Sequence, residues 1–155
     1  ATLESALEWK AEFEVGQKTN VVTLTGANYH GLGMRFQEEL DAYASHSYAG
    51  RKPDLSNNRQ EASPAKWAAV SFATPGKPAT IALVSNPANA RAEGAFFSML
   101  TPFAYLSATQ RLDQEPLVYH DGDKFGLRYL VLLYPTVKST ETLAARALRW
   151  REATP

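Results

Sequence analysis

Apolar and polar residues alternate with a period of two through much of the chain. Leu7, Trp9, Ala11, Phe13 and Val15 interleave with Glu8, Lys10, Glu12 and Glu14, which predicts a strand with one wet face. Turn-forming residues at 16–20 lead into Val21-Val22-Thr23-Leu24, so the two runs read as a hairpin. Leu32, Met34 and Phe36 then alternate with Gly33 and Arg35, a strand that points its arginine away from three apolar neighbours. Residues 37–64 are rich in Ser, Asn, Arg and Tyr and poor in periodic apolar positions. They predict a long loop, of the kind that is usually functional or disordered, with one helical turn at Glu38–Tyr43.

Beyond Pro64 the β-pattern resumes. Trp67–Phe72 and Thr80–Val84 flank Thr74-Pro75-Gly76-Lys77-Pro78, a hairpin signal. Gly94–Leu100, Ala104–Ala108 and Pro116–Tyr119 are shorter strand candidates, and Leu127–Tyr134 is the most continuously apolar strand. Ser139 is placed to cap a helix from Thr140 to Arg151, with Leu143, Ala147 and Trp150 on its buried stripe. Many short strands with one helix predict an antiparallel β-sandwich of seven to nine strands with one C-terminal helix, forming a single domain over residues 1–155.

Composition narrows the function classes. Sixteen acidic residues balance sixteen basic ones, so no broad positive field draws in nucleic acid or an anionic membrane. The absence of cysteine excludes disulfides and thiolate chemistry and leaves the compartment open, an extracytoplasmic one being favoured. No apolar run reaches the ~20 residues of a membrane span, and Ala1 does not open a signal peptide. No partner among nucleic acids or membranes is therefore expected, and no metal or cofactor either. The three histidines lack any spacing that gathers ligands.

The candidate chemistry is sparse. His30 lies between Tyr29 and Gly31 and has the right ordinary pKa for acid–base work, although a turn-capping role is the plainer reading. Arg35 offers a planar fork for a carboxylate or sugar hydroxyls, or else a cross-strand ion pair with an acid such as Glu12. His46 sits in the predicted loop among Tyr43, Tyr48, Arg51 and Lys52, a mixture suited to a sugar or an anion. His120 and Asp121 open an Asp-Gly-Asp turn that supplies oxygen and nitrogen ligands but also makes an ordinary hairpin. Arg128 is the one charge in an apolar strand, and burying it unpaired would be expensive, so a carboxylate partner is expected. Trp9, Trp67 and Trp150 read as core.

Four segments, Gly31–Phe36, Lys66–Val70, Ser85-Asn86-Pro87-Ala88-Asn89 and Gly126–Leu132, resemble in that order the C-terminal half of the PmoA-like domain family. The resemblance implies a β-sandwich of uncharacterised activity, common in bacteria that break down polysaccharides. It also implies that a further half, carrying a histidine-rich stretch and Arg-Gly-Leu-Trp, belongs with this one. Two functions follow as expectations. One is a carbohydrate-associated domain, part of a polysaccharide-degrading enzyme, with His30, Arg35 and His46 catalytic and Asp121 or Glu39 as the carboxylate. The other is a non-catalytic module that binds sugar or protein. In either case Tyr29, Asn86, His120, Asp121 and Arg128 are the ligand-binding candidates and a glycan the expected ligand. A second copy or a second chain is expected to cover an apolar β-face that the Leu7–Val15 strand exposes.

Overall fold

The computed structural model describes residues 4–16, 18 and 20–154. Among these residues it is an antiparallel β-sandwich with one C-terminal helix, as expected, but with eleven strands where seven to nine were expected, because residues 37–64 add two. The first sheet has the order β1 (Ser5–Glu14), β11 (Lys124–Tyr134), β7 (Ala79–Ser85), β6 (Trp67–Phe72), β4 (Ala44–Tyr48). The second has the order β3 (Gly31–Arg35), β9 (Tyr105–Thr109), β8 (Ala95–Met99), β5 (Glu61–Pro64). A two-stranded ribbon of β2 (Val21–Leu24) and β10 (Leu117–His120) stands beside them.

The pleat divides the first sheet cleanly. Ala68, Val70, Leu83, Tyr129 and Val131 face the second sheet and pack with Phe96, Leu106 and Ala108. Residues one position along, including Trp67, Val84, Leu130 and Leu132, face the other way and are covered by the helix. That helix, α1 (Thr140–Ala153), starts where Ser139 accepts a hydrogen bond from the Thr142 amide, and it buries Leu143, Ala147 and Trp150. Strands β6 to β9 are buried along most of their length on both faces, which is why none of them carries a charged residue.

Two sequence expectations change. The first run does not form a hairpin with Val21–Leu24. β1 pairs with β11, Ser5 opposite Leu133 and Glu14 opposite Lys124, and β2 pairs with β10. Gln17 and Thr19 of the expected turn lie outside the described residues. Nor is 37–64 a loop. It holds a 3-10 turn at Glu38–Tyr43, then β4, a short 3-10 turn at Ser56–Asn58 and β5. β4 and β5 are edge strands, where small polar residues replace the apolar repeat. In β4 the inward positions are Ala44, His46 and Tyr48, so an imidazole occupies a core position.

Candidate functional site

A cavity of about 560 Å³ opens between the two sheets where β1 and β11 face β3 and the ribbon. Trp9 and Phe13 of β1 and Phe125 and Tyr129 of β11 form one wall. Phe13 stacks on Phe125 at 4.7 Å between centroids, and Phe125 on Tyr119 of β10 at 4.1 Å, both nearly parallel. Trp9 leans on Tyr129 at 5.9 Å. Gly31, Leu32 and Gly33 make the opposite rim.

Few polar groups reach this cavity. The Tyr129 hydroxyl accepts a 2.7 Å hydrogen bond from Gln110 Nε2, while burial pushes the phenol up to about 12, so it stays protonated at neutral pH. Gln110 Oε1 is buried without a hydrogen-bond partner among the described residues. His30 stands at the mouth. Its Nδ1 accepts from the Ala27 amide at 3.3 Å, and its own amide donates to the Ala27 carbonyl at 3.1 Å. The imidazole is thus a turn cap and a cavity residue at once. No carboxylate lines the cavity among the described residues.

The other candidates are placed elsewhere. Arg35 points outward from the second sheet, its guanidinium 3.9 Å from the Phe103 ring centroid. The pairing with Glu12 does not form, because β3 pairs with β9 and Glu12 is bridged to Lys10 at 2.8 Å. Tyr29 stacks on Tyr105 at 4.6 Å on that same outer face. The two glycines of β3 admit parts of the fold itself. A Cβ on Gly33 would meet the Tyr105 hydroxyl, and one on Gly31 would meet the Ala108 carbonyl.

His46 is 3 % exposed and spans the sandwich, Nε2 donating to the Tyr105 carbonyl at 3.1 Å. Burial holds its pKa down to about 4. A second cavity of about 550 Å³ lies beside it, bordered by Lys52 and Asp54. Asn86 is structural: Nδ2 donates to the Thr154 carbonyl at 2.7 Å and Oδ1 accepts from the Ala88 amide at 2.8 Å, tying the end of α1 to the sheet. His120 and Asp121 sit in an exposed turn, where the His120 amide donates to Asp123 Oδ2 at 2.6 Å and Gly122 takes a positive φ of 77°. Among the described residues no cluster of three or more His, Asp or Glu is placed to hold a metal ion.

Arg128 has the carboxylate partner expected of it. It holds Glu8 at 2.8 Å through both Nε and Nη2, and Trp150 Nε1 donates to the other Glu8 oxygen at 3.1 Å. These contacts lie on the helix side of the first sheet, the face opposite the cavity. His30, Arg35 and Arg128 therefore open onto three different surfaces. Sequence reasoning passed over Gln110, Tyr119 and Phe125, and assigned Trp9 to the core. The signal for Trp9 was its place on a terminal strand with charged neighbours, which marks an edge.

Compared with known proteins, residues 2–148 match the model of DUF6807, a family of unknown function. No PmoA-like family is found, which overturns the resemblance drawn from the four segments. Three of those segments are β3, β6 and β11, whose alternating apolar residues serve any β-sandwich. No curated protein matches the chain. Among the described residues no helix is long and apolar enough to cross a membrane.

Proposed function

The chain belongs to DUF6807, a family of unknown function, and we propose that its sandwich works as a non-catalytic binding module for a sugar ring. The observation that carries this reading is the cavity between the sheets, where aromatic walls meet a small set of hydrogen-bonding groups. Ligand sites are commonly concave and mostly apolar, with a few polar groups that fix orientation. Trp9 and the outer rings of the Phe13–Phe125–Tyr119 stack would offer aromatic surface to the apolar C–H face of a pyranose, Phe125 serving to hold the other two rings in place. Gln110, His30 and the Tyr129 hydroxyl supply partners for its hydroxyls. A catalytic site needs a second titratable group within reach of the same bond, and the lining here favours binding.

Trp9 makes the test direct. Trp67 of β6 and Trp150 of α1 are buried between the first sheet and the helix, so a fluorescence change on ligand addition reports Trp9 when it disappears in Trp9→Phe. Titration with a panel of mono- and oligosaccharides is expected to find a ligand whose affinity falls at least ~tenfold, about 1.4 kcal/mol, in Trp9→Ala. A panel in which no sugar changes either the fluorescence or the unfolding midpoint would refute the reading. A carbohydrate-degrading enzyme that contains this domain remains compatible with it, because a module of this kind would hold the polymer near another chain's chemistry. The covering of the exposed β-face by a second copy finds separate support in β1, where Leu7 is 59 % and Phe13 45 % exposed.

A further inference from the structure

We propose that β1 pairs along its free edge with β1 of a second copy, antiparallel, with Trp9 at the twofold axis. This does not rest on the sugar reading. β1 is a ten-residue edge strand bonded on one side to β11, and it contains neither proline nor glycine. Long edges with exposed apolar residues are sites of strand addition unless something blunts them. The residues that could blunt this one are its charges, and their order along the strand selects a single register.

Because side chains alternate with a period of two, only registers that place odd residues opposite odd residues keep the apolar face continuous. Placing Glu8 or Lys10 on the axis sets like charges directly opposite each other, which is destabilising. Placing Ala11 there matches Lys10 with Glu12 of the other copy but sets Glu8 against Glu14 and shortens the pairing. With Trp9 on the axis, Glu8 of each copy faces Lys10 of the other, Leu7 faces Ala11 and Ser5 faces Phe13, while the like pair Glu4–Glu14 falls at the very end of the strand, where Glu4 is already held by Arg146. The exposed apolar residues thus gain cross-strand neighbours on the inner face, while two unlike charge pairs form on the outer one.

The charges already in place favour this arrangement. Lys10 stands opposite Arg128 in the β1–β11 register; Arg128 is held by Glu8 and Lys10 is bridged to Glu12 of its own strand at 2.8 Å. Glu8 of the second copy would flank Lys10 on its free side and give it a second carboxylate. Glu8 itself accepts from Arg128 on one oxygen and from Trp150 on the other, and a carboxylate has lone pairs left for an incoming lysine. The pairing is isologous and closes, so it gives a dimer and no fibre.

Sedimentation at micromolar concentration is expected to show twice the 17.1 kDa chain mass. Lys10→Glu is expected to raise the dissociation constant at least tenfold by setting Glu against Glu at both cross-copy contacts. Because it also removes the Lys10–Glu12 bridge, urea unfolding of the monomer is measured beside it, so that lost pairing is not confused with lost folding. The chain has no cysteine, which makes crosslinking position-specific. Directly opposite Cα atoms in an antiparallel pair are ~4.5–5.5 Å apart, within disulfide reach, so Trp9→Cys is expected to crosslink to itself on oxidation. Leu7→Cys alone is expected not to, its two copies being offset by roughly 13 Å along the strand, but a mixture of Leu7→Cys and Ala11→Cys is. A 17.1 kDa monomer throughout would overturn the proposal. So would a dimer indifferent to Lys10→Glu in which Leu7→Cys crosslinks to itself as readily as Trp9→Cys.

Discussion

Acid should weaken this fold through one imidazole before its carboxylates begin to titrate. His46 crosses the sandwich from β4, its Nε2–H bonded to the Tyr105 carbonyl and its Nδ1 buried without a partner among the described residues. Burial lowers its pKa from 6.5 to about 4, and the hydrogen bond to Tyr105 opposes that only in part. In the unfolded chain the group titrates near 6.5. Between those values the unfolded state takes up a proton that the folded state refuses, so stability falls as pH falls. Above pH 6.5 the penalty vanishes, and below about 4 it no longer grows. At about 1.4 kcal/mol per pKa unit the whole window is worth roughly 3 kcal/mol, of which about 2 is lost by pH 5.

Urea unfolding followed by circular dichroism at pH 7, 6 and 5 measures this, at one protein concentration because a dimer's midpoint depends on it. His46→Gln keeps a donor for the Tyr105 carbonyl and does not titrate. It is expected to be flatter than the wild type over this range by about 2 kcal/mol. Glu4, Glu8, Asp54 and Glu61 all have carboxyl pKa values held below the ordinary ones. Their stabilisation is intact above about pH 5 and is lost only as pH falls further, so the window belongs to the imidazole. Wild type and His46→Gln losing stability in parallel from pH 7 to 5 would refute the reasoning.

Arg128→Met should cost about 1 kcal/mol in the same unfolding assay, and less at high salt, because both partners of the Arg128–Glu8 pair are partly solvated, at 31 % and 39 % side-chain exposure. A loss of several kcal/mol would mean that the pair is buried. Gly31→Ala should destabilise by about 2–4 kcal/mol and Gly33→Ala by about 1–2, since the added methyl meets the backbone carbonyl of Ala108 in the first and the tip of the Tyr105 side chain in the second. The reverse order in thermal unfolding would show that the Tyr105 ring, wedged on Tyr29, is the more rigid neighbour.

The elements that were legible in the sequence are those whose environment is uniform along their length. β6 and β7 read as strands because both faces of each are largely covered, β11 because its Tyr129–Leu132 stretch is, and α1 because a capping serine precedes a stripe at helical spacing. The edges were harder. β4 carries a serine, a histidine and a second serine at its centre, and such a run resembles a loop unless it is known that His46 has Tyr105 to bond. Pairing partners were harder still. Nothing near Glu8 announces Arg128, because 120 residues separate them and only the sheet register brings them together.

The same distinction explains why the chemistry was misplaced. Sequence reasoning looks for rare polar residues at close spacing, and the Asn28–Phe36 segment has them in Tyr29, His30 and Arg35. The turn before β3 and the strand itself separate such neighbours: from this one segment His30 goes to the cavity mouth, while Tyr29 and Arg35 go to the outer aromatic cluster with Tyr105 and Phe103. The cavity is instead assembled from residues that look unremarkable one at a time, Trp9, Gln110, Tyr119, Phe125 and Tyr129, drawn from four separate parts of the chain. The first sheet has five strands and the second four, with β1 at the edge of the first. The two proposals therefore give β1 two uses. Toward the ribbon, Phe13 and Trp9 wall the cavity proposed to take a sugar, and along the open edge the backbone of the same strand is proposed to pair. Trp9 belongs to both, so ligand binding and dimerisation are expected to be thermodynamically linked, each strengthening or weakening the other by the same factor. Measuring the dimer dissociation constant with and without the bound sugar checks this. A Lys10→Glu monomer that binds the sugar with unchanged affinity would separate the two halves of the strip.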